Sequence, residues 1–155
     1  RMECSDLIGL NRGRIIGLDV GDKTVGVSLS DDRQMIASSH SVINRTSITR
    51  DLSQLQAIVE NIKPIAIIYG WPLQTDGNPG QQCEKVDDFI SKAEEIFELP
   101  FVKFDERFST KVITGVLLDA DMSRGKRKKV VDKVAATYIL QGALDLLGNL
   151  RRNHA

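Results

Sequence analysis

Four carboxylates stand where a folding chain would not ordinarily leave them. Asp19 interrupts the apolar run of residues 14–20, near its carboxyl end. Asp105 and Glu106 follow a second apolar run at 101–104. Asp132 opens a stripe at helical spacing, Asp132, Ala135, Ala136, Ile139, Ala143 and Leu146, that is otherwise apolar. A carboxylate on a core-directed stripe costs several kcal/mol (order of magnitude) unless a cation, a strong donor or a metal meets it. Taken singly, each reads as a structural acid: Asp132 would complement a helix N-terminus, and Arg107 would pair with Glu106. Taken together, strand-end and helix-start acids able to face one sheet edge repel unless cations hold them. Hard divalent ions with oxygen ligands, Mg²⁺ or Mn²⁺, suit such a cluster. Two of them roughly 4 Å apart activate water and stabilise a leaving oxygen in phosphodiester hydrolysis.

Other chemistries are absent. Cys4 and Cys83 are too few for a disulfide framework and point to a reducing compartment, with the cytoplasm as default. His40 and His154 form no metal-spaced pair with each other or with the cysteines. There is no GxSxG elbow, and in residues 21–26 the glycine spacing is P-loop-like, but Val27 stands where the lysine belongs. At 155 residues, 41% hydrophobic and 27% charged, the chain fits one domain with its own core. No apolar run approaches the roughly 20 residues that span a bilayer.

The elements that must position the acids follow from periodicity. Residues 14–20 and 25–30 read as strands around a Gly-Asp-Lys-Thr hairpin turn, and 35–43 as a third strand. Residues 46–63 switch to a helical period with Ile48, Leu52, Leu55, Val59 and Ile62 on one face, stopped by Pro64. Residues 65–69 form a strand apolar on both faces. A glycine-rich loop, 70–80, leads to a helix over 81–97, then a short strand at 101–104. Ser109 or Thr110 would cap a helix through 118. A polar, basic loop at 121–129 leads into a last helix over 130–147. The order βββ-α-β-α-β-α-α predicts an α/β domain, residues 13–150, with a mixed five-stranded sheet and helices packed against it. Residues 1–12, with Arg1 ahead of Met2, read as a flexible N-terminal segment or an expression remnant; an organelle remains open if an upstream targeting segment was removed.

The run Gly17-Leu18-Asp19-Val20-Gly21-Asp22-Lys23-Thr24-Val25-Gly26-Val27 resembles the opening motif of the YqgF/RuvX family. The resemblance continues in Gly70-Trp71-Pro72-Leu73 with Asp76-Gly77 and Gly80, in Asp105-Glu106-Arg107-Phe108-Ser109-Thr110, and in Asp132-Lys133-Val134-Ala135-Ala136 followed by Ile139-Leu140-Gln141. That family comprises Holliday-junction-resolvase-like proteins and nucleases of pre-16S ribosomal RNA. The resemblance implies an RNase H-like fold and a metal-dependent nuclease that uses Mg²⁺ or Mn²⁺, two ions being expected. Asp19 would bridge both ions, and Glu106 and Asp132 would each complete one shell. Asp105 is the alternative to Glu106, since strand alternation sends the two side chains to opposite faces. Trp71 stands where smaller apolar residues are common in the family, and it reads as packing or as a base-stacking surface.

The partner implied is structured RNA or branched DNA. Junction resolution would require two sites on a two-fold homodimer, whereas RNA trimming needs one. Lys23, Arg107 and the run Arg124, Lys126, Arg127, Lys128 and Lys129 are the candidate phosphate contacts. The chain carries 21 basic and 21 acidic side chains, but the balance is local: residues 76–100 hold seven acids and two bases, residues 101–135 nine bases and five acids. Two other readings compete, a non-catalytic nucleic-acid-binding module on the same fold and an actin-like ATPase relative. The second needs two large lobes, for which the chain is too short.

Overall fold

The computed structural model describes residues 2–72, 80–105 and 124–153, with side chains of the last segment from 134 onward. Five strands form one mixed sheet: β1 (Ile15–Val20), β2 (Thr24–Ser30), β3 (Ala37–Asn44), β4 (Ala66–Trp71) and β5 (Phe101–Asp105). Their spatial order is β3-β2-β1-β4-β5. The β1–β2 and β2–β3 pairs are antiparallel, and β1–β4 and β4–β5 are parallel. This is the RNase H-like arrangement expected from the sequence, with β1 at its centre.

Among the described residues three helices cover the sheet: α1 (Ile48–Ile62), α2 (Gln81–Ile96) and α3 (Arg124–Asn153). Ser47 caps α1 by accepting the Arg50 N–H at 3.2 Å. Lys63 closes it in the left-handed region at φ 55°, just before Pro64. Alternation along β1 sorts the two cores. Ile16, Leu18 and Val20 pack with Leu52 and Leu55 of α1 and Val86, Phe89 and Ile90 of α2. Ile15, with Ala66 and Ile68 of β4, packs under Ile139, Leu140, Ala143 and Leu144 of α3. The sheet is thus sandwiched, with α1 and α2 on one face and α3 on the other.

The last helix differs from its expected bounds. It begins at Arg124, so residues 124–129 are its first turns and not a loop. Arg and Lys are good helix formers, and a run polar on all sides gives no amphipathic signal to mark them as helical. Its buried row also drifts from the expected one: Leu140, Leu144 and Leu147 are inside, while Leu146 is 41% exposed. The expected helix near 109–118 lies outside the described residues, as do residues 73–79 of the expected loop at 70–80.

The segment ahead of β1 packs on the domain. A short 3-10 turn, Cys4–Leu7, buries Cys4 and Leu7 against α3. Met2 bridges Val102 at the outer edge of β5. Arg151 near the end of α3 donates to the carbonyls of Leu7, Ile8 and Leu10 and to Gln34 Oε1, at 2.9–3.2 Å. No helix among the described residues is long and apolar enough to cross a membrane.

Candidate active site

Asp19 is the next-to-last residue of β1, partly buried, on the face that α3 covers. Period-two alternation puts it there: Leu18 and Val20 point to the other core. Its neighbours on that face are glycines. Gly26 of β2 is its register partner, and Gly70 of β4 follows the Leu18–Tyr69 pair by one residue. Neither of these two strand positions carries a side chain beside the carboxylate.

The direction of α3 decides what stands above it. Gln141 Oε1 accepts the Ala37 N–H at 2.8 Å, and Ala37 pairs with Ser30 beside the start of β1. Ser28, fully buried, donates its hydroxyl to Ala136 O at 2.7 Å. Gly17 pairs with Ser28, so Ala136 lies over the middle of β1. Moving along α3 from 141 to 136 therefore moves along β1 from its start towards Asp19. Four residues further, about 6 Å at 1.5 Å per residue, comes position 132. Two residues past Gly17, about 6.6 Å, comes Asp19. Position 132 also continues the row Ala136, Leu140, Leu144, each of them buried. The helix backbone thus carries position 132 towards the carboxyl end of β1. With the helix starting at Arg124, Asp132 lies about two turns inside it and not in its first turn, so it does not complement the helix N-terminus.

The close approach of α3 rests on Gly17. A Cβ there would overlap Ser28 Oγ and lie 2.7 Å from Leu140 Cβ and 3.2 Å from Ala136 O. The glycine in a strand interior was a visible signal of close backbone approach. Ser28, its counterpart, carried none.

Asp105 ends β5 in register with Trp71. Phe101 belongs to the α1/α2 core, and Lys103 lies over the Trp71 ring at 5.6 Å, so alternation puts Asp105 on that same face, opposite Asp19. Asp105, Lys103 and Trp71 line a cavity of about 620 Å³ at the sheet edge together with Glu3, Cys4 and Leu146. Burial, helped by Glu3, pushes the Cys4 thiol up to about 11, which keeps it protonated and inert. Glu106 and Arg107 lie outside the described residues. Among the described residues no three His, Cys, Asp or Glu side chains converge, and the side chains of Glu106 and Asp132 are not in that set.

Lys23 is exposed in the β1–β2 turn. Arg124, Lys126, Arg127, Lys128 and Lys129 occupy the first two turns of α3, at the end of the helix that approaches Asp19. Arg45 and Asp51, which brace the turn from behind, carry no signal of their own in the sequence. Asp51 is 1% exposed and accepts Arg45 Nε at 3.2 Å and the Thr46 N–H at 3.0 Å.

Known proteins resemble this chain over most of its length. The model of the RuvX family, described as Holliday junction resolvase, matches residues 13–146. A protein of Clostridium kluyveri is 47% identical over 132 residues, covering 85% of this chain and 96% of its own. One of Desulforamulus reducens is 48% identical over 132 residues with the same coverage. Both are provisionally named pre-16S rRNA nucleases. Among solved structures, T. thermophilus RuvC in complex with a Holliday junction substrate aligns with TM-score 0.56 at 11% identity, over 87% of this chain and 96% of that one. The last likeness is one of fold.

Proposed function

The chain belongs to the RuvX family, and on that premise we propose that Asp19, Asp132 and Glu106 form its site for hydrolysing phosphodiester bonds in structured nucleic acid. The observation that supports the reading is the register of α3 on β1: with Ser28 bonded to Ala136 O, the helix backbone runs on towards the carboxyl end of β1, where Asp19 stands. Asp105 is the weaker candidate for the third acid, because β5 alternation puts it on the opposite face.

The donor set fits hard divalent cations. Asp19 offers carboxylate oxygens on a face where the adjacent strand positions are Gly26 and Gly70, and carboxylates suit Mg²⁺ or Mn²⁺. Such ions, two in this proposal, supply Lewis acidity and a lowered water pKa at the scissile phosphate. Asp19 and Asp132 would fix their positions from two rigid elements, a central strand and a long helix. The two glycines leave room for a sugar-phosphate backbone to reach Asp19. The cations of residues 124–129 would neutralise neighbouring phosphates. Positive side chains in the first turns of a helix oppose its dipole at about 0.3–1 kcal/mol each, a cost that bound phosphate would reverse.

Processing of a pre-16S-type ribosomal RNA is the favoured substrate. Its support is the name shared by relatives at 47–48% identity, against a resolvase likeness that is one of fold. Junction cleavage is the second reading, supported by the description of the matching family, and it would require a homodimer. The compartment proposed is reducing and cytoplasmic, where the free Cys4 and Cys83 stay reduced.

The test is Asp19→Asn, with Mn²⁺, on labelled single-stranded RNA, duplex RNA and four-way-junction DNA side by side. Cleavage should fall at least 100-fold with the fold intact, and millimolar Mn²⁺ should raise the Tm of the parent but less that of the variant. Cleavage at the parent rate removes Asp19 from the mechanism. Comparing Glu106→Gln with Asp105→Asn assigns the third acid.

A further inference from the structure

The β1–β2 turn is fastened more heavily than a hairpin turn needs. Gly21 N–H donates to Thr24 O at 2.8 Å, which already closes the turn. Arg45 then adds two bonds: its Nη1 donates to Gly21 O at 2.7 Å and its backbone N–H to Lys23 O at 2.8 Å. Gln82 Nε2 of α2 reaches Val20 O at 3.4 Å, and Lys85 Nζ pairs with Asp22 at 3.0 Å. Arg45 is itself held, by buried Asp51 at 3.2 Å and by the Phe89 ring, 5.2 Å from the guanidinium carbon. A buried aspartate, a fork-shaped cation and an aromatic platform thus converge on three turn residues that directly follow the Asp19 strand. Asp22, whose charge would repel phosphate, is paired with Lys85. Lys23, whose charge would attract it, is left exposed.

We infer that Arg45 and Asp51 are positioning residues, which fix the β1–β2 turn so that Lys23 meets a phosphate of the substrate backbone beside Asp19. Arg45 does this through Gly21 O and Lys23 O. The inference rests on the nuclease reading of the site and adds to it a device that acts on substrate position. Lysine cannot replace Arg45 here, because one ammonium does not span Asp51 and Gly21 O as the planar guanidinium does.

The experiment is a coupling cycle. Removing Arg45 alone strands a buried carboxylate, so the pair Arg45→Gln with Asp51→Asn is used, beside Lys23→Ala and the triple variant. Affinity for a labelled RNA stem-loop is measured across a salt series without divalent ion, and amide hydrogen exchange is read at residues 22–24. Lys23→Ala should weaken binding roughly 5–10-fold and lower the salt slope by about one. The Arg45/Asp51 pair should weaken it roughly 3–5-fold, speed exchange in the turn, and cost nothing further once Lys23 is gone. Full additivity, or unchanged exchange in the turn, overturns the positioning role while leaving the nuclease reading intact. A parent protein that binds and cleaves neither RNA nor junction DNA overturns the nuclease reading and this inference with it.

Discussion

Alanine at position 17 would put one carbon into the seam between β1 and α3. Carbon atoms pack at about 3.5–4.0 Å, and the new Cβ would sit 2.7 Å from Leu140 Cβ, which is backbone-fixed and cannot rotate away. The helix must therefore rise by about 1 Å. Ser28 is overlapped as well and must give up its bond to Ala136 O. Overpacking of this kind costs about 1–3 kcal/mol, and a lost buried hydrogen bond about 1 more. A total near 3 kcal/mol lowers the Tm of a domain this size by about 6–12 °C. The rise also lifts position 132 away from Asp19, and a 1 Å misplacement in a catalytic constellation costs about 100-fold in rate.

Ile68→Ala separates the two effects. Ile68 is fully buried under the same helix, and its truncation costs a similar 2–5 kcal/mol without pushing anything outward. Thermal unfolding and single-turnover cleavage, both well below either Tm, should show comparable instability in the two variants and a large rate loss only in Gly17→Ala. Equal rate losses, or Gly17→Ala cleaving at the parent rate, would refute the link between this seam and the site.

Arg151→Ala should cost about 2–3 kcal/mol, since it releases four acceptors at once, while kcat stays within about 3-fold; chemical denaturation and cleavage on one preparation check both. Lys63→Gly should raise stability by about 0.5–1 kcal/mol, because φ 55° suits glycine, whereas Gly13→Ala at φ +112° should lower it, its Cβ meeting Ile65 Cγ2; Tm shifts of opposite sign are the readout. The backbone N–H groups of Ile36, Met35 and Arg33 hold the Asp31 carboxyl below its ordinary 3.8. Its stabilisation is therefore complete above that value and lost as the pH falls through the lower folded one, so the gap between parent and Asp31→Ala in urea midpoint should shrink from pH 5 to pH 3.

Much of the fold was legible because each element carried its own period. The Gly-Asp-Lys-Thr turn between apolar runs marked the hairpin, and β4, apolar on both faces, marked the strand covered on both sides. Asp19 was legible because a carboxylate broke an apolar run. The start of α3 was not, because five cations within six residues give no apolar period and read alike as a loop or as the first turns of a helix. The seam was only half visible. Gly17 hinted at a close approach, but its partners Ala136 and Leu140 lie more than a hundred residues away, and no local pattern encodes such a pair. Asp51 was hidden likewise, since a buried acid on an amphipathic helix is recognisable only once Arg45 is seen beside it.

Polar fastenings at Ala136, Gln141 and Arg151 make α3 a beam held mostly on one side of its grip on β1. The Gly17–Ser28 seam grips it at Ala136, about 6 Å from position 132, while the Arg151 clamp holds it about 22 Å away on the other side. Movement at the clamped end reaches position 132 reduced to about a quarter: slack of 1 Å at Arg151 becomes about 0.3 Å there. The mechanical advantage runs against disturbance. A displacement at the Arg151 end is therefore damped before it reaches position 132.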